Sequence, residues 1–205
     1  MTHRTTWIPL ALWLLLGTTP AEGDHHFVGA DKCKTCHKKE LIGNQYGVWL
    51  DGPHHRAYLT LRGEAAQAVA AERGLAVPPH EADDCLRCHT TSHGVPPERM
   101  ANVLVPADSV QCESCHGPGA DYRKKKIMSD RDKSIAAGMW EPGNEEKVCL
   151  TCHNDESPTW DAAKGFDYAA AKKKIAHPIP EDVKGRYIEL EKEARKKRGG
   201  SDEEK

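Results

Sequence analysis

Every cysteine of this 205-residue chain falls in one of four Cys-x-x-Cys-His groups: Cys33 and Cys36 before His37, Cys85 and Cys88 before His89, Cys112 and Cys115 before His116, and Cys149 and Cys152 before His153. Thiols at i and i+3 on a short helix share one face, where each can form a thioether with a haem vinyl. The following imidazole is then aimed at the iron as its proximal ligand. This is the attachment pattern of c-type haem, and four copies call for four covalently attached haem c groups. Zinc sites also use Cys-x-x-Cys, but they pool two pairs into one tetrahedral set and do not need a His after each. A disulfide framework would tolerate any residue after its cysteines.

The composition suits a chain built around such a cofactor. Hydrophobic residues make up 38%, aromatics 6% and charged residues 29%. With about 45 residues per macrocycle, porphyrin must supply much of the apolar core, and the chain without haem is expected to be largely unfolded. Formal net charge is −2, and basic residues are balanced by acids without aromatic interleaving, which gives no sign of a nucleic-acid partner.

The elements that must position the motifs can be read coarsely. Residues 1–23 read as a secretory signal, with Arg4, an apolar run from Trp7 to Gly17, and small Ala21 and Gly23 before the cut. The apolar run is too short for the ~20 residues of a membrane span. The mature chain is therefore expected to be periplasmic, without a membrane span. Residues 24–190 form the tetrahaem domain, and residues 191–205 form a charged tail expected to be disordered. A first helix is expected from about Asp31 to Leu50, stopped by Gly52-Pro53, and a second from His54 to Arg73, ended by Gly74. A β-like stretch follows at residues 102–105, and further helices are expected at 144–153, 166–177 and 182–197. Motif starts at 33, 85, 112 and 149 give unequal spacings of 52, 27 and 37. That irregularity argues against a solenoid and for a mainly α, compact multihaem cytochrome of short helices and long loops around four haems.

The string from Val110 to Gly119, with Cys112-Glu113-Ser114-Cys115-His116-Gly117-Pro118 at its centre, closely resembles the cytochrome c-554 type of tetrahaem cytochrome. Trp49 before His54-His55-Arg56-Ala57, Asp84-Cys85, and Phe166-Asp167 before His177 are similar to the same family. The resemblance implies a mainly helical periplasmic electron carrier with haems in stacked and perpendicular pairs. It further implies that His54 is a distal ligand at the third haem and His177 at the fourth, while the second haem keeps an open iron. The family's remaining distal His falls here on Lys126, an amine that must lose its proton to bind iron. Met128, His25, His26, His93 or no protein ligand are the other choices for the first haem.

Besides the four proximal residues, the expected mature chain holds His25, His26, His54, His55, His80, His93 and His177. His54 and His177, the latter at a helix end before Pro178, read as ligands. His55 points differently from its neighbour, and His25, His26 and His80 read as solvated. His93 lies too close along the chain to reach the far face of its own haem easily and could line another pocket or bond a propionate. The runs Lys124-Lys125-Lys126 and Lys172-Lys173-Lys174 read as solvated faces that a redox partner could engage.

The functional expectation is electron transfer between periplasmic redox proteins as donor and acceptor. Two other classes compete with it. One is an enzyme reducing a small nitrogen oxide such as nitric oxide at an open iron, for which the sequence offers no convergent acid–base pair and therefore no catalytic residue. The other is a subunit of a larger cytochrome assembly, which ligation in trans by His25 or His26 would favour.

Overall fold

The computed structural model describes residues 25–100, 105–141 and 146–199. The signal segment, residues 102–104 of the β-like stretch and residues 200–205 of the tail lie outside the described residues. Within them the chain is helical, with one isolated parallel bridge between Phe27 and Met100 in place of any strand. No helix among the described residues is long and apolar enough to cross a membrane.

The first expected helix is broken in two. Helix α1 (Ala30–His37) carries the first motif, and α2 (Gln45–Asp51) follows a 3-10 turn at Glu40–Ile42. Gly43 at φ 95° and Asn44 at φ 44° make the break, and the Asn44 side chain caps α2 by accepting from Gly47 N at 3.1 Å. A Cβ on Gly43 would lie 2.7 Å from the Pro178 carbonyl oxygen, so the same turn receives the segment after His177. The second expected helix is also divided, into a 3-10 turn at His54–Arg56, α3 (Ala57–Thr60) and α4 (Glu64–Glu72), with Gly63 as the N-cap of α4. Glycine has little to gain from a continuous helix there, and its extended φ of −79°, ψ 161° starts a new one.

The remaining elements are α5 (Asp83–His89), α6 (Glu113–His116), α7 (Lys125–Met128), α8 (Arg131–Ala136), α9 (Glu146–Leu150), α10 (Tyr168–Ile175) and α11 (Tyr187–Gly199). Helix α11 begins five residues later than the expected 182 and runs into the stretch read as a tail. Each motif lies on or against its own short helix, and the helices meet few apolar partners. Among the described residues the buried apolar side chains are few, and half of them are only alanine or valine: Val28, Ala30, Ala70, Ala82 and Val183. That is a core with room for a large apolar guest.

The segment 109–114 is the strut between motifs. Ser109, almost fully buried and at φ 61°, accepts Tyr58 N on its hydroxyl at 3.1 Å and Thr91 N on its carbonyl at 2.9 Å. A non-glycine residue holds such a φ only when its surroundings fix it. Beside it, Val110 accepts the Trp49 indole N–H at 2.9 Å and donates to the His54 carbonyl at 3.3 Å. Gln111 N donates to Thr91 Oγ1 at 2.7 Å, and Thr91 Oγ1 pairs with Ser114 Oγ at 2.7 Å. The residues preceding the third motif thus hold the His54 loop and the end of the second motif in one network.

Candidate haem-binding site

The eight motif cysteines form no disulfides with one another, and sulfurs of different motifs come close together. Cys33 of the first motif lies beside Cys112 of the third, and Cys88 of the second beside Cys152 of the fourth. Cys115 of the third motif interacts with Cys149 and Cys152 of the fourth. Burial pushes the Cys115 thiol up to about 11, and burial with the charge of Cys152 does the same at Cys88. No cluster of three or more His, Cys, Asp or Glu among the described residues is arranged to hold one metal ion between them.

Each proximal imidazole is placed by a different device. His37 Nδ1 meets the side-chain oxygen of Gln45 at 3.2 Å, and buried Gln45 is the first residue of α2. His89 Nδ1 lies 2.6 Å from the Ala57 carbonyl, where only a donor fits, so Nε2 is left free. His116 ends α6 at Gly117, whose φ of 76° and lack of Cβ let the Trp140 indole close in, because a Cβ would stand 2.8 Å from the ring. Trp140 N donates to the His116 carbonyl at 2.9 Å, and the Tyr122 hydroxyl to the Gly117 carbonyl at 2.8 Å. The expected sharp turn at Gly117-Pro118-Gly119 is therefore present, with a tryptophan as one cause. His153 stacks on Phe166 with centroids 5.0 Å apart and planes 18° from parallel.

Two further imidazoles come to face two of these. His54 stands 6.2 Å from His153, ring centre to ring centre, and His177 stands 6.0 Å from His116. His177 is oriented by its Nδ1, 2.8 Å from the Ile175 carbonyl, which leaves Nε2 as the free nitrogen. The resemblance implied the opposite pairing, His54 with the third motif and His177 with the fourth. In this structure the rings approach in the other combination, the Gly43–Pro178 contact carrying His177 to the side of the first and third motifs. Burial lowers the proton affinity of His54 and His37, and burial with the neighbouring His177 and His37 brings His116 down to about 4. These rings are thus neutral at neutral pH, the form in which imidazole binds a metal.

The other histidines have ordinary partners. His25 Nδ1 pairs with Asp121 at 2.7 Å, His93 Nε2 with Asp83 at 3.3 Å, and His55 packs edge-on against Trp49. His80, expected to be solvated, is half-buried, with Nδ1 enclosed and without a hydrogen bond. Lys126 is exposed on α7 while Met128 of the same helix is half-buried.

The arrangement fits four c-type haems. Paired free sulfurs, proximal rings with one nitrogen committed or enclosed, and a sparse apolar core are what covalent macrocycles would complete. A cavity of about 250 Å³ opens where the second, third and fourth motifs meet, lined by Cys88, Thr91, Ser114, Trp140, Thr151 and Cys152. A second, of about 340 Å³, lies beside His153 between Trp160 and Phe166. Sequence reasoning missed Gln45, Gln111 and Glu113, whose placing roles depend on contacts across the chain that no local pattern announces.

Comparison with known proteins agrees with this chemistry. The family model described as cytochrome c554 and c-prime matches residues 32–117, which hold the first three motifs. Cytochrome c-554 of Nitrosomonas europaea is 28% identical over 170 residues, 77% of this chain and 70% of that protein. The multiheme cytochrome MtrA of Shewanella baltica is 28% identical over 129 residues, 55% of this chain but only 36% of that longer protein. The solved structure of reduced cytochrome c554 from Nitrosomonas europaea matches with a TM-score of 0.50 and 27% identity, over 74% of this chain and 79% of that one. Motifs, matched span and fold together make the chain similar to the cytochrome c-554 family and support an electron-transfer cytochrome with covalently bound c-type haems.

Proposed function

We propose that this chain is a periplasmic tetrahaem carrier that takes up and releases electrons singly between a donor and an acceptor protein. The observation that carries the reading is the pair of facing imidazoles, His54 with His153 and His116 with His177. Metal–nitrogen bonds of roughly 2 Å on either side of one iron, plus the two ring radii, put ring centres about 6 Å apart. The spacings of 6.2 and 6.0 Å match that requirement. Bound haem supplies reversible one-electron chemistry at iron, tuned by its axial ligands. His54 with His153 and His177 with His116 would each hold one iron and leave it no position for a substrate, which suits the third and fourth motifs to conduction.

The cysteine contacts support an order for the sites. First meets third through Cys33 and Cys112, third meets fourth through Cys115 with Cys149 and Cys152, and fourth meets second through Cys152 and Cys88. From these proximities we infer a path first, third, fourth, second, with the first and second motifs at its ends. Arg87 and Glu156 form an ion pair that ties the second motif to the loop after the fourth, and Arg73 donates to the Glu156 carbonyl at 3.0 Å.

One observation favours a second reading, reduction of a small nitrogen oxide at the second motif. His89 is anchored on Ala57, and among the described residues no other imidazole faces it. The primary reading is tested by counting haems retained after denaturation in acid acetone and by stepwise redox titration of the exported protein. Four covalent haems with reversible one-electron steps are expected, and an apoprotein with free thiols would overturn it. Sequencing the amino terminus of protein recovered from the periplasm checks export, with cleavage expected after Gly23 or Ala21.

A further inference from the structure

Glu113 lies between the cysteines of the third motif, a position where the attachment chemistry asks for no particular residue. It is nevertheless fully buried. Its Oε1 accepts Val28 N at 3.0 Å and Gly119 N at 2.6 Å, and its Oε2 accepts Gly29 N at 2.8 Å and Val28 N at 3.1 Å. Beside it, Gln111 Oε1 accepts Ala30 N at 2.6 Å. Gly29 is the N-cap of α1 and has no side chain to cap with, so two residues at the third motif cap the helix of the first.

The donor set also fixes the charge. Both carboxylate oxygens face N–H groups only, and a proton on either would turn an O–H against a donor. Burial raises the proton affinity of Glu113, while the N–H groups of Gly119, Gly29 and Val28 oppose that rise. Peptide dipoles, which carry no net charge, hold the anion, so its field is not cancelled at a distance. That charge acts on Cys33, where Arg123 opposes it, on the neighbouring attachment sulfur Cys112, and on the buried Tyr122 hydroxyl. A fixed anion favours the ferric over the ferrous state, because the ferric state carries one more positive charge.

We propose that Glu113 is a fixed buried anion that lowers the reduction potentials of the haems at the first and third motifs, while its bonds to Val28 and Gly29 lock those two motifs together. This rests on the carrier reading. Glu113 acts as a positioning and electrostatic residue, since it touches backbone and not iron.

The test compares holoprotein carrying Glu113→Gln or Glu113→Asp with wild type. Haem count is measured first: loss of covalent haem from wild type would defeat the carrier reading itself. With four haems present, Glu113→Gln is expected to raise two of the four potentials clearly above the other shifts, and Glu113→Asp to keep them near wild type. Four unchanged potentials, or equal shifts in all four, would overturn the inference. Should Glu113→Gln fail to assemble, infrared spectra of oxidised wild type with isotope-labelled glutamate decide. The expected result at neutral pH is the absence of a buried protonated carboxyl band, and the presence of one overturns the fixed-anion claim.

Discussion

His177 and His116 face each other 6.0 Å apart although α7, α8, α9 and α10 lie between them in the chain. A run of local features brings this about. Asp167 caps α10 by accepting Ala170 N at 2.9 Å, the helix stops at Ile175, and Ala176 turns extended at φ −62°, ψ 131°. Pro178 keeps the residue before it out of a helix, so His177 leaves the helix end pointing away from it. Its Nδ1 is then fixed on the Ile175 carbonyl, and the Pro178 carbonyl settles against Gly43.

Removing either facing ring should therefore change one haem only. In oxidised protein, His177→Ala and His54→Ala are each expected to convert one low-spin electron paramagnetic resonance signal to high spin. After reduction each should gain one carbon monoxide site, and the double variant two. An unchanged number of low-spin signals in either single variant would sink the pairing.

Gly117→Ala tests the turn behind His116. The new Cβ would stand 2.8–2.9 Å from the Trp140 indole at a backbone φ of 76°. Overpacking of this kind costs about 1–3 kcal/mol, with left-handed strain in addition. A lowered midpoint in urea unfolding of the holoprotein, with an unchanged slope, is the expected outcome, and a midpoint equal to wild type would show that Trp140 is free to move away.

How much of this was legible in the sequence follows from which contacts are local. The cofactor and the proximal ring sit in five consecutive residues, so Cys112 through His116 spell their own chemistry. The breaks at Gly43-Asn44 and at Gly63 were written as glycines inside otherwise helical stretches, yet an isolated glycine does not say whether it bends a helix or ends it. The partner of His54 was not legible, because it depends on Val110, far along the chain, bonding the His54 carbonyl. Glu113 was invisible for the same reason, as its donors Val28 and Gly29 lie more than 80 residues earlier in the chain.

Acid should destabilise the protein with a definite sign. The folded state holds His116 down to about 4, against an ordinary value near 6.5, and His37, His54 and His153 are shifted in the same direction by burial. A lowered folded value means that the unfolded chain binds more protons between those limits. The contribution is complete above about pH 6.5 and is lost as pH falls toward about 4. Iron competes with protons for the same nitrogens and reinforces the trend. Thermal unfolding followed in the Soret band from pH 7 to 4 should show a steadily falling midpoint, and a flat profile would contradict it.

The second motif decides between conduction alone and conduction with chemistry. His89 presents a free Nε2 because its Nδ1 is held 2.6 Å from the Ala57 carbonyl, an anchor that also makes the ring a stronger ligand. With His54 and His177 committed elsewhere and His93 paired to Asp83, the expected wild-type signature is a high-spin signal and carbon monoxide binding without any mutation. Four low-spin signals and no gas binding would exclude an open iron. The first motif enters the same count, since half-buried Met128 and exposed Lys126 lie on α7, whose Lys125 ammonium stands over the Tyr187 ring 5.8 Å from its centre. That ring's hydroxyl accepts Lys39, two residues past His37, at 2.8 Å. If the Met128 thioether binds there, Met128→Ala should add one carbon monoxide site while Lys126→Ala adds none. The reverse result would assign the amine, and a gain in neither variant would leave the first iron to an exchangeable ligand.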